Sequence, residues 1–428
     1  MKKIGIVTLG CSRNTVDSEK MLMRLRRKGY AISTPEKADA VIINTCGFID
    51  SAKEESIETI RDVLELKKNG QIKKVIVWGC LVKRYAKELH RHLKGVDAFS
   101  PVICFYDNDR IPLTLPHIAD LKIAEGCRNN CSYCAIPSIR GSLISKTEKE
   151  ILTEVKNIND KNTVKELTIT AQDTTAWGKD FIQGKKQKNI ISLLKKIVKA
   201  ADNIPWLRIM YAHPRFTTRE LIDYIAGEPK ICSYIDLPIQ HINDRILKAM
   251  NRHVTRKQIE NLLWYIKNNY PDMALRTSVI AGFPTEKKSE FGELLDFIKE
   301  YKFNNLGAFV YSREERTPAY ALHQIPDRAK RERFDRIMLA QQNISYENNL
   351  HMVGKTFDML IDEKRSGGVL GRIYSQAYEI DGVTIVDKNL KQGAIHRVRI
   401  TGATEYDLTA SVDSAAASRS STDQRRLK

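Results

Sequence analysis

No apolar stretch in the 428 residues is long enough to span a bilayer, which excludes a transmembrane helix. Acidic residues are short against basic ones, 52 to 70, for a formal net charge of +18. That imbalance implies polyanionic surroundings, RNA or a ribonucleoprotein, although general solubility accounts for charge as well. The start, Met1-Lys2-Lys3 and then Ile4 to Gly10 before Cys11, imitates a lipoprotein signal. Its apolar part is too short, and Arg13 and Asp17 follow at once, so it reads as a buried first strand of a cytoplasmic protein. No Ser/His/Asp set and no paired-carboxylate signature stands out. What is present is cysteine: eight in a chain of this kind point to metal or catalysis rather than disulfides. The length predicts two or three domains, and 42% hydrophobic content predicts globular ones.

The densest cysteine run is Glu125-Gly126-Cys127-Arg128-Asn129-Asn130-Cys131-Ser132-Tyr133-Cys134, a CxxxCxxC loop. Structural zinc takes four ligands, and the local count stops at three. The run therefore suits either zinc completed by a distant histidine or an iron–sulfur cubane with one iron left open. With Gly126 and with Tyr133 before the last cysteine, it resembles the radical S-adenosylmethionine (SAM) superfamily, in which the amino and carboxylate groups of SAM chelate the open iron.

Residues 1 to about 95 alternate apolar runs and amphipathic stretches. Strands are expected at Ile4–Leu9, Ala40–Asn44 and Lys74–Trp78. Helices are expected at Val16–Lys28, Ser51–Lys67 with Ser51 as N-cap, and Leu81–Leu93. Such alternation predicts a parallel sheet with helices on its faces. Cys11, Cys46 and Cys80 each fall just past the carboxyl end of a strand, beside Gly10, Gly47 and Gly79. In a parallel sheet those ends share one edge, where such folds bind ligands. A lone free cysteine is usually a small buried hydrophobe; three in one topological position predict a second three-thiolate site. Cys104 and Cys232 lack that pattern and are assigned to packing.

Residues 96 to 118, with Pro101, Pro112 and Pro116, read as a linker with one short strand. Lys122-Ile123-Ala124 is expected to open the next domain as its first strand. About six βα units follow to Tyr311, predicting an open, partial TIM-like barrel with its site at the carboxyl ends of the strands. His213 and His241 read as hydrogen-bonded structural histidines. Arg328, Lys330, Arg331, Arg333 and Arg336 read as a solvated helix face, with phosphate contact as the sharper reading. From Gly354, short alternating runs separated by glycines predict a small antiparallel barrel. It resembles the TRAM domain, which often binds RNA. Lys355 to Asp407 holds eight Lys/Arg and eight Asp/Glu, a net charge of zero. The small, polar stretch after Asp413 reads as a disordered tail. The expected domains are 1–116, 117–345 and 348–413, with the tail at 414–428.

Gly10-Cys11-Ser12-Arg13-Asn14, Asn44-Thr45-Cys46-Gly47-Phe48 and Gly79-Cys80-Leu81, followed by the CxxxCxxC loop, resemble the methylthiotransferase family of radical SAM enzymes. The resemblance covers about residues 1 to 413. It implies two 4Fe–4S clusters, one held by Cys11, Cys46 and Cys80 and one by Cys127, Cys131 and Cys134. It also implies two roles for SAM, radical source and methyl donor. Tyr133, Ala171, Gln172, Asp173 and Ser278 are carried over as SAM-site candidates. The segments Thr170 to Gly178, Ala135 to Gly141, Asp236 to His241 and Tyr374 to Gly382 resemble the branch that modifies the β-carbon of an aspartate of ribosomal protein S-twelve. Trp177 and Tyr378 depart from its usual Tyr and Pro. A neutral TRAM domain agrees with a protein target, on or off the ribosome, since phosphate binding favours excess Lys/Arg. The implied partners are that protein, an electron donor and a sulfur source; the enzyme is expected to act as a monomer away from membranes. A transfer-RNA methylthiotransferase and a non-catalytic iron–sulfur RNA-binding protein are the alternatives.

Overall fold

The first sheet is wholly parallel, in the order β2-β1-β3-β4-β5. In this computed structural model, which describes residues 2–102, 107–181 and 189–413, it comprises β1 (Lys3–Thr8), β2 (Ala31–Ile32), β3 (Ala40–Thr45), β4 (Lys74–Gly79) and β5 (Ala98–Pro101). Helices α1 (Ser12–Arg27), α2 (Asp50–Lys68) and α3 (Cys80–His92) connect them. The apolar runs of β3 and β4 are buried on both faces, as parallel sheets require. Val41, Ile43, Val75 and Val77 pack with Ile60, Val63, Leu81 and Leu89, while Ile4, Ile42 and Trp78 fill the other side. Ser51 does not cap α2. The helix starts one residue earlier, with Ile49 at the cap position and no side-chain cap. Cys104 and the stretch from residue 414 lie outside the described residues.

The central domain also differs at its start. Its first strand is β6 (Ile118–Lys122), paired with β9 (Glu166–Thr170). Ala124–Glu125 is a separate short strand, β7, antiparallel to β8 (Ile144–Ser145). The change of partner follows Lys122, whose ammonium turns toward Asp17 and Glu125. The cysteine loop then leads into α4 (Ile136–Arg140), and α5 (Glu148–Asn159) precedes β9. Beyond β9 come α6 (Ile190–Ala200), β10 (Trp206–Ile209), α7 (Arg219–Gly227) and β11 (Tyr234–Asp236). Next are α8 (Asp244–Ala249), α9 (Arg256–Asn269), β12 (Ala274–Ala281), α10 (Lys288–Tyr301) and β13 (Asn305–Val310). Thr147, Asn189, Thr218, Asn243 and Thr255 each cap the following helix through a side-chain oxygen. The parallel strands form two arcs, β10-β9-β6 and β11-β12-β13, joined by the parallel bridge Leu207–Ile231. That is the open barrel the alternation predicts. Cys232 is buried in a small apolar cluster with Met210 and Tyr234.

Helix α11 (Asp327–Leu350) is not a uniformly solvated face. Arg328, Arg331 and Arg336 are exposed, but Lys330 is buried against Tyr311 and Arg333 donates to Glu286. The described residues end in a closed barrel, β14-β15-β16-β18-β17. Its strands are β14 (Thr356–Arg365), β15 (Gly368–Arg372), β16 (Thr384–Val386), β17 (Ile395–Ala403) and β18 (Leu408–Val412). The alternating runs expected from the sequence, at Thr356–Ile361, Val369–Ile373, Val383–Val386 and Ala394–Thr401, number four, so β18 is an addition. The segment after β15 closes the amino side of the central barrel. Arg372 pairs with Glu166 at 2.5 Å, Arg208 donates to the Tyr374 carbonyl, and Asp381 accepts from Tyr234 and Arg276. The opposite, carboxyl side is left to the first domain. No helix among the described residues is long and apolar enough to cross a membrane.

Buried ions dock α1 onto the central domain. Lys20 meets Glu154 of α5 at 2.9 Å, and Lys146 meets the same carboxylate at 2.8 Å. Burial opposes charge on Glu154, but Lys146, Lys20 and Arg110 outweigh it and hold its pKa down at about 2. A carboxylate depressed by folding stabilises the native state above its unfolded pKa. That stability is lost as pH falls through the folded value. Urea titrations of the apoprotein are expected to show a loss of about 2–3 kcal/mol between pH 5 and pH 2. Glu154→Gln should flatten that part of the profile.

Candidate functional site

The alignment of β1, β3 and β4 brings three loops to one edge. Thr8 lies opposite Asn44, and Thr45 opposite Gly79. Cys11 is the N-cap residue of α1, Cys46 follows β3, and Cys80 opens α3. Their convergence is visible in the backbone. At Gly10, φ is +87°, and an added Cβ would stand 2.8 Å from Cys46 Cβ and 3.0 Å from its sulfur. At Gly47 it would stand 2.8 Å from the Cα of Leu81. Asn14 stitches the loops together. Its amide donates to the Leu9 carbonyl, and its Oδ1 lies 3.8 Å from the Cys80 sulfur.

The three thiols feel one another's charge. Burial pushes Cys46 up and Cys80 up to about 11. At Cys11 burial has the same tendency, but the Arg13 guanidinium, the Asn14 N–H and Arg140 outweigh it and hold the thiol below its ordinary value.

The second trio occupies the loop between β7 and α4. Gly126 has φ +64°, and a Cβ there would collide with the Ser142 carbonyl. Asn130 takes a left-handed φ of 49°, letting the chain curl between Cys127 and Cys131. The Ser132 N–H and hydroxyl donate to the carbonyls of Met250 and Ala249, and its own carbonyl accepts from Ala319. Burial pushes Cys134 up to about 12, with Cys131 and Cys127 adding to the rise. Gly126→Ala, forcing a side chain into that turn, is expected to cost about 1–3 kcal/mol. It should also lower iron retention, read by metal analysis after gel filtration.

The two trios meet. Cys80 packs in one buried cluster with Ala135 and Ile139, and Ala135 is the residue after Cys134. Arg140, at the end of α4, donates to Asn14 at 2.5 Å, to Asp17 at 2.8 Å and to Glu125 at 3.0 Å. Among the described residues no three His, Cys, Asp or Glu side chains close tightly enough to hold a single metal ion. Each donor set is three thiols, the number that leaves one iron of a cubane open.

Of the carried-over SAM candidates, Tyr133 lies in the cysteine loop and Asp173 bonds to it, while the Ala171 carbonyl accepts from Arg13. Tyr133 packs among Ile246, Met250 and Phe283, and Arg252 donates to its hydroxyl. Ala171 is fully buried, and Gln172 is half-buried. Asp173 accepts from Asn129 and Thr175, both at 2.6 Å, tying the cysteine loop to the loop after β9. Ser278 accepts from Arg276 at 3.3 Å. His241 is satisfied at both nitrogens, by Asn243 and Glu286. His213 is not. Its Nδ1 accepts the Arg215 N–H at 3.1 Å, so Nε2 carries the proton, buried and without a partner. Burial pushes its pKa down to about 2, so the ring is neutral.

Arg252 escaped the sequence reading. It contacts the Cys131 sulfur at 3.6 Å, and its Nε is buried and unpaired. It sits between Asn251 and His253, both left-handed, in a turn with no periodic signal. Trp177 is buried and donates to the Lys146 carbonyl, and Tyr378 lies under Arg372. Neither touches a cysteine of either trio among the hydrogen bonds and ring contacts of the described residues.

A parallel α/β domain on the carboxyl face of an open barrel, with a CxxxCxxC loop between them, defines a radical SAM enzyme. Family models agree: residues 3–100 match the uncharacterized protein family UPF0004, 121–298 the radical SAM superfamily and 353–412 the TRAM domain. Among solved structures, the radical SAM methyltransferase TsrM from Kitasatospora setae, with cobalamin and a [4Fe-4S] cluster bound, shares the fold. Its TM-score is 0.51 at 10% identity, over 86% of this chain and 80% of that one. Two curated relatives are named ribosomal protein uS12 methylthiotransferase RimO. That of Clostridioides difficile is 42% identical over 96% of this chain and 99% of its own. That of Thermoanaerobacter sp. is 43% identical over 95% and 99%. The chain belongs to the RimO family of methylthiotransferases. It is a transferase whose cofactors are SAM and 4Fe–4S clusters.

Proposed function

We propose that this enzyme adds a methylthio group to the β-carbon of an aspartate of ribosomal protein uS12 in the cytoplasm. Cys127, Cys131 and Cys134 hold the cluster that binds SAM, and Cys11, Cys46 and Cys80 hold the second. When bound, these groups supply one-electron cleavage of SAM and carry the sulfur that is inserted. The chain's residues position and insulate them. Tyr133, Ala171, Gln172, Asp173 and Ser278 line the SAM side. Arg252 supplies positive charge beside Cys131, and the neutral His213 offers a buried, unpartnered Nε2–H donor. An electron donor and a sulfur source must serve the enzyme.

The observation that carries this reading is the contact of Cys80 with Ala135, which sets one trio against the other. A protein target is supported by the relatives' names and by the TRAM surface. Its exposed Arg365 and Arg397 are paired with Asp387 and Asp358, and its buried Arg372 pairs with Glu166 of the central barrel. Mass spectrometry of uS12 and of transfer RNA from a deletion strain decides the target. Loss of methylthioaspartate from uS12 is the expected result. Loss of a methylthioadenosine from transfer RNA, with uS12 unchanged, would contradict it.

A further inference from the structure

Six arginines are buried among the described residues: Arg84, Arg110, Arg140, Arg208, Arg252 and Arg372. All but Arg252 are held by a carboxylate, as Arg84 is by Glu314 and Arg110 by Glu19. Arg13, half-buried beside the first trio, has no such carboxylate counterion among the described residues. Its Nη1 donates to the Ala171 carbonyl at 2.8 Å, across the domain junction. Its guanidinium stacks on Tyr211, 4.4 Å from the ring centroid, and lies beside the Cys11 thiol. Its Nε is buried and has no acceptor. Tyr211 itself takes a left-handed φ of 59° just past β10. The cation is thus held from three sides, with part of its donor fork unused.

A guanidinium keeps its charge inside a protein, and its fork matches a carboxylate. A buried donor left unpaired is costly unless a ligand completes it. We propose that Arg13 binds the side-chain carboxylate of the substrate aspartate. This rests on the uS12 reading above. The carboxyl carbon of aspartate is bonded directly to its β-carbon, so holding the one fixes the other within a bond length or two of the guanidinium's reach, beside the Cys11 loop. Asparagine is close in shape but brings no charge to pair with the fork. SAM also carries a carboxylate, and the test separates the two sources.

Fluorescence anisotropy on the anaerobically reconstituted full chain would compare a synthetic peptide of the aspartate-bearing uS12 loop with its Asp→Asn version. Wild type is expected to prefer the aspartate peptide by about 10–100-fold. Arg13→Gln should erase that preference, and Arg13→Lys, a point charge without the fork, should keep part of it. Iron and sulfide content is measured for each, so Arg13→Lys still reads the preference if Arg13→Gln loses its cluster. Equal binding of the two peptides by wild type overturns the proposal and leaves the uS12 reading standing. So does an Arg13→Gln variant that keeps the preference but binds SAM more weakly, which would assign the carboxylate to SAM. Failure of wild type to bind either peptide overturns both.

Discussion

Cys46→Ala is expected to keep reductive cleavage of SAM while losing methylthio product altogether. Cys46 belongs to the trio on the sheet edge, and its loop touches Gly10 and Leu81 rather than the CxxxCxxC loop. On the proposed assignment, removing its thiolate leaves two ligands for the second cluster and all three for the first. Cys131→Ala should do the reverse and abolish 5′-deoxyadenosine, since the cleavage site loses its central thiolate. Chromatography of the nucleoside and of the modified peptide reads both outcomes in one reaction. Normal methylthio product from Cys46→Ala would remove the second cluster from the mechanism. Wild type that carries its iron yet releases no 5′-deoxyadenosine would instead indicate a binding protein.

The second large effect is structural. Asp17, fully buried on α1, is shared by Lys122 and by Arg140, with the Arg140 contact at 2.8 Å. Asp17→Ala leaves two buried cations with Glu125 as their remaining carboxylate partner. Breaking a buried pair by removing one partner costs about 3–5 kcal/mol. Arg140 is also hydrogen-bonded to Asn14, whose amide holds the Cys11 loop. The loss should therefore appear as looser docking as well as lower stability. Denaturant titration gives the first measure. Hydrogen exchange in α1 and α4 gives the second, with faster exchange expected in both. A variant as stable as wild type would show that the network contributes little to docking.

Much of this was legible in the sequence because it depends on local rules. Alternating apolar runs gave the parallel sheet, and topology alone then placed Cys11, Cys46 and Cys80 on one edge. What could not be read depends on distant partners. Lys330 and Arg333 look like solvent-facing residues until Tyr311 and Glu286 are placed beneath them. The last strand, Leu408–Val412, is defined by pairing with both β16 and β17, and its short alternation follows a polar turn. Arg13 stood inside a quoted motif, but its reach to Ala171, 158 positions away, belongs to the docked domains. Arg252 had no pattern to reveal it at all.

Iron and acid-labile sulfide, counted after anaerobic reconstitution, test the central claim most directly. About eight of each per chain are expected for wild type. About four should remain when Cys11, Cys46 and Cys80 are replaced together, and about four when Cys127, Cys131 and Cys134 are. A fully loaded wild type holding only four, unchanged by loss of the first trio, would contradict the account.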